Sequence, residues 1–245
     1  NITMIEKIWI LTKKELNSFF DSLIAYILLT LFLGFCGFFT WMYGSDIFLI
    51  GQATLRPFFS IAYWCLFIFI PALTMRMIAE EKKTGTIELL LTKPITDWEL
   101  VLGKFLASLL LIIITLVFTL PYIITLSLIG NLDNGEVTMG YLGLILMSAM
   151  YIAIGLYASS ITNNQIVAFL SAIFISLFFH LLFDVIATAF KGSVADFFNM
   201  LSLSNHFESM QRGVFDTKDF IYFISIIFLG LYLTEQNLAK RKISG

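Results

Sequence analysis

Few residues in this chain are equipped for chemistry. Its 245 residues include two histidines, His180 and His206, and two cysteines, Cys36 and Cys65. His180 and Asp184 stand at i, i+4 inside an apolar run, so a helix puts them on one face. Ionisable groups at membrane depth mark candidate substrate or proton pathways. Counted from Ile166 at about 1.5 Å per residue, the pair falls in the outer leaflet. There a neutral His180 can hydrogen-bond Asp184 as it reaches the interface. The carboxylates Glu80-Glu81 open a second charged cluster with Lys82-Lys83. Together with His180 and Asp184 they would be the donor set of an intramembrane hydrolase. The two sets fall at opposite leaflets, however, and cannot share a water or a metal. Cys36 and Cys65 both lie in apolar runs and read as small buried hydrophobes, not as a disulfide or metal pair. The nucleotide-binding pattern G-x-x-x-x-G-K-[ST] is missing: the sole Gly-Lys pair is Gly103-Lys104, and position 98 holds Trp98 where the pattern needs glycine. We expect no catalytic residue, no metal site and no cofactor bound by this chain.

What must position these residues is a bundle in lipid. Hydrophobic residues make up 59% of the chain and charged ones 13%, against roughly 25% charged in a soluble domain. Mean hydropathy is +0.91. So little polar surface cannot cover a water-exposed globule, and disorder is excluded for the same reason. The net charge of −2 gives no support for a nucleic-acid partner. A spanning helix needs about 20 mostly apolar residues. Uncharged runs at 22–45, 57–75, 105–132, 137–183 and 220–234 supply six spans, because the fourth run is long enough for two and breaks naturally at Thr162-Asn163-Asn164-Gln165. We place transmembrane helices at 22–45, 57–78, 97–130, 137–161, 166–188 and 219–239 of a single membrane domain, 1–245. No cleavable signal peptide is apparent, and the first run reads as a retained helix. Pro71 and Pro121 are expected to kink the second and third spans.

Orientation follows from the basic residues of alternate loops. With the N-terminus inside, the inner segments hold eleven: Lys7, Lys13 and Lys14, then Arg76, Lys82, Lys83, Lys93 and Lys104, then Lys240, Arg241 and Lys242. The outer segments hold four: Arg56, Lys191, Arg212 and Lys218. Both termini are therefore expected in the cytoplasm. Residues 1–21 form an amphipathic interfacial helix in which Ile5, Ile8, Trp9, Leu16, Phe19 and Phe20 share a broad apolar face.

Two long connections remain, and the cytoplasmic one, 80–95, has a defined pattern. Charged Glu80, Glu81, Lys82, Lys83 and Glu88 surround a compact apolar stretch, Ile87 and Leu89-Leu90-Leu91, and Pro94 forces its end. Thr84 or Thr86 can cap a two-turn helix with Ile87, Leu90 and Leu91 on one face. Thr96-Asp97-Trp98-Glu99 fits a capping box, so the third span should begin near Asp97. A short charged knob with a hydrophobic tip suits docking into a groove on a soluble partner. In the outer connection, Val194, Phe197, Phe198 and Leu201 form an apolar stripe too short to cross, followed by a break at 202–205 and a second cap at Asn205-His206-Phe207-Glu208. Such a helix–turn–helix lies in the outer interface or re-enters partway.

The run Glu80-Glu81-Lys82-Lys83-Thr84-Gly85-Thr86-Ile87-Glu88-Leu89-Leu90-Leu91-Thr92-Lys93-Pro94, followed by Leu102-Gly103-Lys104, resembles the coupling-helix region of ABC-2 type transporter permeases. Pro57-Phe58-Phe59, Phe69-Ile70-Pro71-Ala72-Leu73-Thr74, Ala158-Ser159-Ser160 and His206-Phe207-Glu208-Ser209-Met210-Gln211-Arg212 extend the resemblance to nearly the whole chain. They make it most similar to the gliding-motility-associated permease subunit of Bacteroidetes. The resemblance implies an all-α ABC-2 exporter fold with an interfacial helix, a cytoplasmic coupling helix and an outer re-entrant helix pair at 192–212. It implies an ABC ATPase partner, two copies of it, binding ATP and Mg and receiving Glu80, Glu81, Lys82, Lys83, Gly85, Thr86, Ile87, Glu88, Leu89, Leu90, Leu91 and Pro94. It also implies a second permease subunit, a different chain with a large periplasmic domain, and a place in a bacterial inner membrane. With His180 and Asp184, the candidate pathway or gate residues are Phe197, Phe198, His206 and Arg212. The alternatives are another ABC-2 exporter (drug, lipid or polysaccharide, or metal-enzyme maturation), a subunit that transmits motion without transporting, and, more remotely, the hydrolase. Membrane proteases with E-E-x-x-x-R are similar only at Glu80-Glu81, because position 85 is Gly85.

Overall fold

The computed structural model describes residues 3–42, 54–87 and 95–244, the last four of these as backbone only. All regular structure among them is helical. Helix α1, Met4–Asp21, opens with a capping box in which Thr3 and Glu6 satisfy each other's backbone N–H groups. Its apolar residues divide between two faces rather than forming one. Leu11, Thr12 and Phe19 are buried, while Ile5, Trp9 and Ile10 are exposed. A sharp corner at Leu23, held at φ +61, leads into α2, Ile24–Trp41, the first span.

The second span is broken. Helix α3, Arg56–Thr74, starts with Pro57 in its first turn and ends soon after Pro71. Proline removes one backbone donor and crowds the preceding turn. The chain turns at 75–78 and resumes as α4, Ala79–Thr84, which Gly85 ends at φ +72. The third span also has two parts, α5, Asp97–Val117, and α6, Leu120–Ile129, with Pro121 in the first turn of the second. Both kinks expected from the prolines are present, and the capping box expected at Thr96 and Glu99 forms.

Helix α7, Asn134–Ile161, is the centre of the bundle, with Tyr151, Met147, Met150 and Leu156 fully buried. It begins three residues before the expected span because Asp133 caps its first amides. Asn164 caps α8, Gln165–Leu177, at the expected break. A π-helical turn at Phe178–Leu182 joins α8 to α9, Phe183–Ala189. Helices α10, Ser193–Leu201, and α11, Leu203–Gln211, form the short pair before α12, Thr217–Ser244. Helix α11 buries Leu203, Phe207 and Met210, whereas α10 buries nothing. The expected cap at Asn205 does not form. Helix α11 already starts at Leu203, after a one-residue break at Ser202, and Asn205 donates to Asn199 instead. Among the described residues, six helical segments are long and apolar enough to cross a membrane. Cys36 is buried and Cys65 half-buried, both as free thiols.

Candidate functional site

Four elements meet at the end of the bundle that carries α1, and Lys104 ties three of them together. It lies two turns into α5 and its side chain is 1% exposed. Its ammonium group is 2.7 Å from Glu81 Oε1 of α4 and 3.5 Å from Glu15 Oε1 of α1. A buried charge is tolerated only when paired and hydrogen-bonded, and here one cation is shared by two carboxylates from different helices. Glu81 Oε2 is buried with no hydrogen-bond partner among the described residues. Around this contact, Thr12 Oγ1 of α1 donates to Gly103 O at 3.3 Å. Lys7 pairs with Glu99 at 3.5 Å.

The fourth element is the end of α7. The hydroxyl of Ser159 accepts from the backbone N–H groups of Ile78 and Ala79 at 3.1 and 3.0 Å and donates to Met75 O at 3.0 Å. One side chain thus replaces the helical bonds that the break after Pro71 removes. The carbonyl of Ser160 accepts from Lys82 Nζ, and from Asn237 Nδ2 of α12 at 2.7 Å. At Gly155, one turn earlier, an added Cβ would stand 2.0 Å from Thr74 Oγ1, so only glycine lets α3 approach α7 this closely.

Between α1 and α4 lies a polar cleft of about 350 Å³, with Lys14, Glu15 and Phe19 on one side and Arg76, Glu81 and Thr86 on the other. Of the residues expected to contact a partner, Glu80 pairs loosely with Arg76 at 3.9 Å, Glu81 holds Lys104, and Lys82 reaches Ser160. Lys83, Gly85 and Thr86 are exposed. The Thr84 hydroxyl turns back to Glu80 O at 2.9 Å. Ile87 departs from expectation: it is 1% exposed and belongs to the core cluster, so it adds no area to a free hydrophobic tip. Glu88, Leu89, Leu90, Leu91 and Pro94 lie outside the described residues. Reading the sequence assigned no role to Lys104, Ser159, Glu15 or Asn237. The available signals were a lysine bordering one apolar run and a pair of serines just before the break in another.

At the other end, the expected hydrogen bond between His180 and Asp184 is replaced by a different arrangement. His180 lies in the π-helical turn, where Phe183 N–H donates to Phe178 O five residues back. That register shift breaks the i, i+4 alignment. His180 Nδ1 is instead 2.6 Å from the Tyr151 hydroxyl, and the ring is stacked between Tyr63 and Phe67 at centroid distances of 4.1 and 4.3 Å. Tyr63 OH donates to the His180 carbonyl at 3.0 Å. Phe207 stacks on the far side of Tyr63, so one aromatic column links α3, the π turn and α11. His206 pairs with Asp219 at 2.7 Å and meets Met200 O at 3.0 Å. The Arg212 side chain donates to Glu208 O at 3.3 Å. Phe197 is exposed, and Phe198 packs on the rings of Phe183 and Phe190. Phe197, Phe198, His206 and Arg212 gather on and around α10 and α11.

Along α3, Tyr63 and Thr74 are about 16 Å apart at 1.5 Å per residue. Glu80 and Glu81 lie beyond Thr74 and His180 stacks on Tyr63, so the two sets share no reaction centre. Among the described residues no three His, Cys, Asp or Glu side chains are grouped to hold a metal ion.

A search of curated proteins finds no match. The family model for ABC-2 family transporter proteins matches residues 45–234. That range runs from before the second span into the last one and includes the loop, the hub around Ser159 and the outer helix pair. The chain belongs to the ABC-2 family of transporter proteins, as a multi-pass membrane permease component that works with an ABC ATPase.

Proposed function

We propose that residues 80–95 dock on the ABC ATPase and carry its motion into the spans. The observation that supports this best is Lys104. Through Glu81 and Glu15 it joins the loop's leading helix, the interfacial helix and the third span into one polar joint. Ser159 and Ser160 add the fourth and sixth spans. A displacement of the loop is then transmitted to several helices at once. Glu80, Glu81, Lys82, Lys83 and Glu88 set orientation by charge, and Leu89, Leu90 and Leu91 supply the apolar contact. ATP and Mg bind on the ATPase, two copies of it. ATP-driven closure changes which side of the bundle is open through differential contact with the two ATPase states.

The loop and both termini are cytoplasmic in a bacterial inner membrane, on the excess of lysine and arginine at that end. A second permease chain with a large periplasmic domain completes the unit, and gliding motility is the process served. Phe197, Phe198, His206 and Arg212, with His180 and Asp184, border the outer gate. Leu90→Asp is expected to abolish co-purification of the ATPase with the membrane-inserted chain. Unchanged ATPase binding in a correctly inserted Leu90→Asp chain refutes the docking surface.

A further inference from the structure

The first two spans leave a groove between them at the α1 end of the bundle. Its volume is about 260 Å³, with Ile24, Ile27 and Leu31 of α2 on one wall and Phe69 and Ala72 of α3 on the other. The walls are apolar and accessible from the bilayer: Ile27 and Leu31 are 57% and 45% exposed. From Ile24 to Leu31 the groove runs about 10 Å along α2, in the direction of an acyl chain. Only its mouth is polar, where Arg76 and Gln165 border it. The Arg76 guanidinium meets Ser22 Oγ at 3.4 Å and Glu80 Oε2 at 3.9 Å, both long contacts for a group with five N–H donors. Both charged side chains remain partly exposed, at 28% and 47%. The exposed Ile5, Trp9 and Ile10 of the amphipathic helix α1 at the same end mark the level of the headgroups.

We propose that this groove is a phospholipid site, holding one aminophospholipid with an acyl chain between α2 and α3 and its phosphoethanolamine headgroup across Arg76 and Glu80. A guanidinium binds phosphate in a fork of parallel hydrogen bonds. The carboxylate beside it accepts from a primary ammonium, which a glycerol headgroup lacks and a quaternary choline cannot supply as a donor. The adjacent cation and anion therefore select a zwitterion with N–H donors over a purely anionic lipid. On the proposed orientation this is a lipid of the cytoplasmic leaflet.

The test is lipid retention by the full-length chain, purified from nanodiscs of equal phosphatidylethanolamine, phosphatidylglycerol and phosphatidylcholine and read by native mass spectrometry. Neither the ATPase nor the side of the membrane enters the measurement, so failure of the docking surface leaves it intact. The wild-type chain should retain one phosphatidylethanolamine, about tenfold over either competitor, equivalent to about 1.4 kcal/mol. Ala72→Trp fills the groove from its lipid-facing side and should abolish retention. Arg76→Gln should weaken it for every headgroup, and Glu80→Gln should shift preference to phosphatidylglycerol. Equal retention of all three lipids by the wild type overturns the headgroup assignment. Undiminished retention in both Ala72→Trp and Arg76→Gln overturns the site. A cysteine at position 27 that labels in the isolated chain but not in lipid-stripped assembled complex assigns the groove to a neighbouring subunit's helix and also overturns it.

Discussion

Lys104 shows what a single charge costs and what it secures. Removing one partner of a buried ion pair costs about 3–5 kcal/mol, because the charge left behind has lost its compensation. Here the orphan would be Glu81, whose side chain is only 18% exposed, while Glu15 keeps Lys14 at 3.6 Å. Lys104→Met is therefore expected to lower the unfolding temperature markedly, read by scanning fluorimetry in detergent. Replacing a whole buried ionic group by uncharged residues of similar volume is often neutral. The triple variant Lys104→Met, Glu81→Gln, Glu15→Gln should thus regain most of the lost stability yet fail to couple ATP hydrolysis to the bundle. A triple variant that regains both shows that the charges serve stability alone. The lysine was legible as one of the inner basic residues, bordering the third apolar run, but its role was not, because both partners come from distant segments that only the packing of α1 and α4 on α5 brings together. His180 failed in the opposite way. Spacing offered a plausible partner in Asp184, and one extra residue in a helical turn removed it.

Elements that break were easier to foresee than elements that shift register. Proline is a covalent signal, so the interruptions near Pro71 and Pro121 follow from composition, as do the break at 162–165 and the cap at Thr96. A π turn leaves no comparable mark, because Phe178-Phe179-His180-Leu181-Leu182 is as compatible with an α-helix. Its cost is met by Tyr63, which supplies a hydrogen bond to the His180 carbonyl. The break after Pro71 is met in the same way by Ser159. Each buried donor left unsatisfied costs about 1–3 kcal/mol, and Ser159→Ala strands the amides of Ile78 and Ala79 together. We expect Ser159→Ala to destabilise the chain by about 2–6 kcal/mol on that basis. Amide exchange should accelerate selectively at residues 78 and 79, with the centre of α7 unchanged. Protection unchanged at those two amides rules out Ser159 as the splint. The corner at Leu23 is a third device that pattern reading did not find, since a leucine at positive φ contradicts its own preference.

For the whole molecule, the two ends of the bundle are built for different purposes. At the α1 end, ionic contacts converge on Lys104 and Ser160. At the other, ion pairs are separate and rings dominate: Glu136 receives the Leu55 N–H and Arg56, His206 holds Asp219, and an aromatic column runs from Phe67 to Phe207. The polar joint suits an end that is pushed by a partner, and the aromatic column one that must seal or part. Five apolar runs, one long enough for two spans, made the bundle legible, and the lysine and arginine excess implies a direction for it. The physical basis of that direction is the cost of moving clustered cations across the bilayer. It predicts that a single cysteine at position 83, in a chain with Cys36 and Cys65 replaced by alanine, reacts with a membrane-impermeant maleimide only after cells are permeabilised. A cysteine at position 212 should react in intact cells. Lys83 and Arg212 are both exposed, so a failure to label cannot be blamed on burial. Labelling of position 83 from outside would put Glu80 to Leu91 beyond reach of any nucleotide-hydrolysing partner, and the buried lysine behind them would have to be explained as a fastening for the fold alone.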